Sequence, residues 1–110
     1  MVETAWAGIE FIVVGRHDVE RLRTAGLFAF VSRDGDRGVL LFVGEAQDIA
    51  RAAGPHHPAW AQALGLGFNE LCVCLSGGER LDRLQLLARI VRAEAPALNS
   101  DGPGLDRAVG

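Results

Sequence analysis

The sequence predicts a small α+β domain. Two apolar runs, residues 27–31 and 39–43, flank a segment rich in turn formers, and a third apolar run follows at residues 70–75. After it comes the clearest amphipathic stretch in the chain, with a period near 3.6. The resulting succession is strand, loop, strand, short helices, strand, long helix. With 110 residues, 49% of them hydrophobic and 23% charged, the chain holds enough apolar material for a single core.

Taken in order, residues 9–14 (IEFIVV) are β-branched and aromatic enough for a strand that stops at Gly15. Val19 and Leu22 share a helical face, which predicts a brief helix over 17–24, so residues 1–25 read as an N-terminal strand and helix extension. Residues 27–31 and 39–43 are the arms of a β-hairpin joined by Ser32-Arg33-Asp34-Gly35-Asp36-Arg37-Gly38. A short helix over 46–53 is expected to stop at Gly54-Pro55. Pro58 opens another, carrying Trp60, Ala61 and Leu64, because its missing N–H costs nothing in a first turn.

Residues 70–75 form the third strand. Ser76-Gly77-Gly78-Glu79 has the form of a capping box, with Ser76 placed to bond the free amides of the helix that follows. In that helix Leu84, Leu87, Ala88, Val91 and Ala95 make one apolar stripe, and Arg80, Arg83, Arg89 and Arg92 fall largely off it. Those four arginines are the candidate contacts for nucleic-acid phosphates, although Glu79, Asp82 and Glu94 between them also suit a solvated, ion-paired face. Pro96 ends the helix, and residues 100–110 read as a flexible tail.

A net charge of -3 and a pI near 5.5 argue against binding nucleic acid through a broadly basic surface. All the basic residues are arginine, and there is no tyrosine. No run approaches the roughly 18–20 apolar residues of a membrane span, and Met1-Val2-Glu3 does not begin a signal peptide, so no membrane partner is expected and the cytoplasm is the default. Cys72 and Cys74 would project side by side from one strand, too close to form a structural disulfide easily, which fits a reducing compartment.

Three short motifs, Gly26-Leu27-Phe28, Phe42-Val43-Gly44 and Pro96-Ala97-Leu98-Asn99, stand in an order and spacing that resemble the GIY-YIG nuclease superfamily over about residues 26–99. The resemblance implies a three-stranded antiparallel sheet flanked by helices. It also implies, for active members, phosphodiester cleavage with one divalent metal. In such enzymes the first motif tyrosine helps activate water, the second tyrosine and an arginine organise the phosphate, and a glutamate on the long helix holds the metal. Proton transfer needs a titratable group, developing charge needs a donor or cation, and Mg²⁺ needs anionic oxygen.

Here the family positions carry different chemistry. Phe28 and Phe42 stand for the tyrosines, Ala52 for the arginine with Arg51 one step away, and Leu87 for the metal-binding glutamate. Glu45 follows the second motif, where relatives often carry a lysine or polar residue. His56 and Asn99 do match, at the positions of a family histidine and asparagine. The resemblance therefore implies a nuclease-like domain without a catalytic set, without a cofactor, and acting as a binding or interaction module linked to DNA, with a nucleic acid or a protein as its partner.

Two other classes stay open. An active endonuclease would need Mg²⁺ and a site rebuilt from His56, His57, Arg51 and acids such as Glu45, Asp48 or Asp82. An unrelated α+β structural or oligomerisation domain could pair the strand at 9–14 with a partner's edge or with its own sheet. A soft-metal site built from Cys72, Cys74, His56, His57 and His17 competes with the simpler expectation that the cysteines are buried.

Overall fold

The computed structural model describes residues 3–15, 17–75 and 78–99. Five strands form one antiparallel sheet: β1 (Glu3–Trp6), β2 (Ile9–Val14), β3 (Gly26–Asp34), β4 (Arg37–Ala46) and β5 (Glu70–Cys74). Their order across the sheet is β1-β2-β5-β3-β4. The helices are α1 (Ile49–Ala52), α2 (Trp60–Gly65) and α3 (Arg80–Glu94), with a single 3-10 turn at Asp18–Arg21. None of the described helices is long and apolar enough to cross a membrane.

The expected three-stranded sheet is corrected to five strands. β2 pairs with β5 through Ile12↔Val73, Val13↔Cys72 and Val14↔Leu71, so the strand assigned to an extension belongs to the sheet itself. β1 folds back on β2 through Ala7 and Gly8, at φ 54° and 77°. Two successive left-handed residues give the backbone twist of a type I′ hairpin. β5 thus lies in the middle of the sheet with Leu71, Cys72, Val73 and Cys74 all buried. Cover on both faces explains why the four residues after Glu70 are all apolar.

Strand alternation sorts the side chains onto two faces. Phe28, Phe30, Phe42 and Val73 project to the first, beneath α1, α2 and the segment between them. Leu27, Ala29, Glu45, Cys72 and Cys74 project to the second, beneath α3.

α1 is shorter than the 46–53 expected, because β4 continues through Ala46. At the start of α3 the Asp82 carboxylate accepts the Glu79 N–H at 3.0 Å, three residues later than the box expected at Ser76. Ser76 and the tail at 100–110 lie outside the described residues.

The buried stripe of α3 is Arg83, Leu87 and Ile90, not the predicted one. Leu84 and Val91 are half-buried beside it, while Ala88 and Ala95 are exposed. A hydrophobicity pattern assigns every charge to solvent. Here an acid in the sheet draws an arginine inward and rotates the buried face.

The outer edge of β4 is closed by the chain that leaves α3. Leu98 N–H donates to the Leu41 carbonyl at 3.0 Å. The Asn99 side chain then takes both backbone groups of Val43, with Oδ1 accepting its N–H at 2.8 Å and Nδ2 donating to its carbonyl at 2.9 Å. A bulge beside Phe30/Val31 pairs Phe30 with Phe42 but Val31 with Leu40, leaving Leu41 as the extra residue. Leu40, Leu41 and Phe42 are consequently all buried in succession.

Candidate functional site

The motif residues meet on the first face of the sheet. Phe28 on β3 lies opposite Gly44 on β4, and Phe30 lies opposite Phe42. A Cβ on Gly44 would come within 2.7 Å of Phe28 Cζ, so the aromatic ring occupies the space that the glycine leaves open. Gly26 is similarly constrained, since a Cβ there would meet the Cys74 carbonyl at 2.5 Å and Ile49 Cδ1 at 2.8 Å. Both motif glycines therefore have packing roles in this chain.

Phe28 and Phe42 are wholly buried, with ring centroids 6.0 Å apart. His57 packs against both, at 5.4 Å from Phe28 and 4.9 Å from Phe42, and its Nδ1 accepts the Ala59 N–H at 3.0 Å. Trp60 and Phe68 complete the layer, each meeting Phe30. The sequence singled out His56 at the family histidine position, but the imidazole inside the motif cluster is that of His57. His56 is exposed, and its Nε2 is bonded to the Arg51 carbonyl. A two-residue His-His step on an irregular loop gives no periodicity from which sequence could have chosen between them.

The remaining family positions are not gathered around these rings. Arg51 is exposed and Ala52 half-buried, so α1 makes no register shift that would bring the arginine inward. Leu87 is buried on α3, which covers the opposite face of the sheet. Asn99 is buried, but its amide serves the backbone of β4, 56 residues earlier. The donors at positions 28, 42, 52 and 87 offer no oxygen or nitrogen to a divalent metal, so the family metal does not fit here and no chemical step is routed through one.

The second face holds a polar arrangement that sequence reading missed. Glu45 is fully buried; Arg83 Nε donates to its Oε2 at 3.1 Å, and Arg80 Nε lies 3.7 Å from Oε1. Arg83 Nη1 also donates to the Gly78 carbonyl at 2.8 Å. This corrects the placement of Arg83 among surface contacts for nucleic acid, because its guanidinium holds α3 onto β4. Arg80, Arg89 and Arg92 are exposed. At the far end of the same face, Arg33 donates to Glu70 at 2.8 Å, and that hydrogen bond is the main cause that raises the arginine's pKa.

Cys72 and Cys74 are both buried free thiols, as their positions on a central strand imply. Burial, followed by the nearby Glu70 carboxylate, pushes Cys72 up to about 12, which leaves it a poor nucleophile or metal ligand at neutral pH. Among the described residues no group of three or more His, Cys, Asp or Glu side chains could hold a metal ion. Of the groups proposed for a rebuilt nuclease site, Asp48, Arg51 and His56 lie together at α1, but the others are elsewhere. Glu45 is paired beneath α3, Asp82 caps that helix, and His57 is in the aromatic layer across the sheet.

An open groove of about 360 Å³ remains beside the aromatic layer, between the 3-10 turn, α1 and the loop at 53–60. His17, Glu20, Ala50, Pro55, His56 and Trp60 are among its lining residues. Comparison of this chain with protein-family models, curated proteins and solved structures yields no match.

Proposed function

We propose that this chain is a GIY-YIG nuclease-like domain that does not cut nucleic acid and acts as a binding or interaction module. The observation that carries this reading is the chemistry at the motif positions. Phe28 and Phe42 are fully buried and packed against His57, with the Phe28 ring filling the space above Gly44. A site for water activation needs a titratable group open to substrate. Here the same positions contribute apolar contacts to the core, which is a sufficient reason for aromatic rings and glycines to be retained there. Leu87 adds to the case, because a leucine buried on the inner side of α3 cannot replace a carboxylate ligand.

The test is calorimetric titration of the folded protein with Mg²⁺ and Mn²⁺, together with cleavage assays on single-stranded, duplex and branched DNA and on RNA. The expected result is no specific metal binding and no cutting, with Phe28→Tyr/Phe42→Tyr equally inactive. Metal-dependent cleavage that is lost in His56→Ala would overturn the reading in favour of a rebuilt site.

A further inference from the structure

We infer that the outer face of α2 is a self-association surface, on which a second copy of this chain docks through the same face about a two-fold axis. The inference goes beyond the binding-module reading and does not depend on it. Residues 52–69 contain no Asp, Glu, Lys or Arg, so every charged residue of the chain lies outside the segment that carries α2. That segment is nonetheless at the surface. Leu64 is 45% exposed and Leu66 50%, while the inner side of the helix is occupied by buried Ala63 and by Trp60, which packs on Phe30 and Phe68.

A third apolar side chain adjoins these leucines. Val39, itself exposed, is the register partner of Ser32, and a Cβ on Gly67 would lie 3.0 Å from Ser32 Oγ, so the residue after Leu66 stands beside that pair. Leu81, by contrast, is exposed between Arg80 and Asp82. On α2 the helical step turns Ala61 and Gly65 about 200° from Ala63, with Leu64 on the shoulder between. Ala61, Leu64 and Gly65 are all exposed, and a Cβ on Gly65 would meet nothing within 4 Å. The face thus carries a projecting side chain and, next to it, a floor of small residues.

Such a face is complementary to itself. In a two-fold pair, residue i of one copy meets j of the other and j meets i, so Leu64 of each copy rests on Ala61 and Gly65 of the other. Charge selects the same occupant. A charged partner finds no opposite charge here, and an anionic lipid surface finds none of the Lys or Arg that hold interfacial helices. A second copy supplies an equally neutral face, against which the leucines are buried with no like charge facing them. The contact is small, since a six-residue helix is only ~9 Å long. It falls below the ~1,200 Å² of stable specific interfaces, so the dimer is weak and the monomer prevails below about 0.1 mM.

The experiment follows backbone amide NMR shifts and translational diffusion of the full chain from about 0.02 to 2 mM, a range that brackets the affinity of so small an interface. Expected are concentration-dependent shifts at Val39, Ala61, Leu64, Gly65 and Leu66, with diffusion slowing toward that of a dimer. Leu64→Glu places a carboxylate in the contact and should weaken association by about tenfold or more, with amides elsewhere unmoved because the side chain already reaches solvent. Gly65→Leu fills open space in the monomer, and should weaken the dimer by about tenfold because it removes the floor beneath the partner's leucine.

The inference is overturned if the chain stays monomeric across the range, if a dimer forms with its shifts elsewhere, or if either variant leaves the affinity unchanged. It is also overturned if neutral phosphatidylcholine vesicles move these amides where added protein does not, which would give the face to a bilayer. Each of those results leaves the non-catalytic reading standing, which only metal-dependent cleavage would overturn.

Discussion

The two faces of the sheet are both buried, yet they are built from opposite materials. On one, Phe28, Phe30, Phe42, His57, Trp60 and Phe68 make a continuous ring layer. On the other, α3 is seated over an ion pair, Glu45 with Arg83, and an Arg33–Glu70 pair lies toward the end of the strands. The ring layer carries the motif resemblance but none of the chemistry expected of it. The charged face was not anticipated, and it fixes where the long helix sits. Residues that match a motif can thus serve packing alone, while a buried charge decides an orientation that apolar periodicity gets wrong.

The sharpest way to break this contrast is to remove one ionic partner. Arg83→Met leaves Glu45 fully buried with only the distant Arg80, and should cost about 3–5 kcal/mol in urea unfolding. The paired change Glu45→Leu/Arg83→Met should recover that loss or exceed the wild type, since apolar replacement of a buried pair is often neutral or stabilising by about 1–4 kcal/mol. Failure of the double variant to recover would mean that the pair also specifies the docking of α3.

On the ring face, Phe28→Tyr introduces a hydroxyl into a fully buried site, with an expected loss of about 1–3 kcal/mol in the same assay. A neutral outcome would show that the ring tip reaches water or a polar partner. Asn99→Ala removes two hydrogen bonds to Val43, for a comparable loss of about 2 kcal/mol. It also opens the edge of β4, so concentration-dependent association should appear in sedimentation.

At neutral pH the smallest expected effect comes from Cys72. Its thiol stays protonated in the fold up to about pH 12, whereas an unfolded thiol ionises near 9, so the unfolded state binds fewer protons in between. Stability should then be unaffected by this group below pH 9 and fall by at most about 1.4 kcal/mol per pH unit above it. The chain has no lysine and no tyrosine, so few other side chains titrate in that range. Cys72→Val should flatten the slope, and an unchanged slope would place the alkaline sensitivity elsewhere.

The hairpin, the central strand and the long helix were legible because each has a local signal: turn formers between apolar arms, a continuous apolar run, and a helical period. The strand at residues 9–14 was found, but its place beside β5 was not, because pairing between distant segments leaves no mark in either one alone. β1 escaped notice because a four-residue strand containing Thr4, Ala5 and Trp6 has too short an alternation to recognise. Glu45, His57 and Arg83 were misjudged for a shared reason. Their burial depends on partners far away in sequence, and for a charged or polar residue the default expectation is solvent.

The strand order also has a consequence for synthesis. The hairpins β1–β2 and β3–β4 leave the ribosome first, but their inner edges meet through β5, and β4's outer edge is covered by the segment carrying Leu98 and Asn99. A nascent chain that has already emitted both hairpins therefore presents, at β2, β3 and β4, three strand edges that the finished fold satisfies. Slow translation or premature termination between residues 47 and 99 would prolong that state, so truncated products should aggregate more readily than the finished protein.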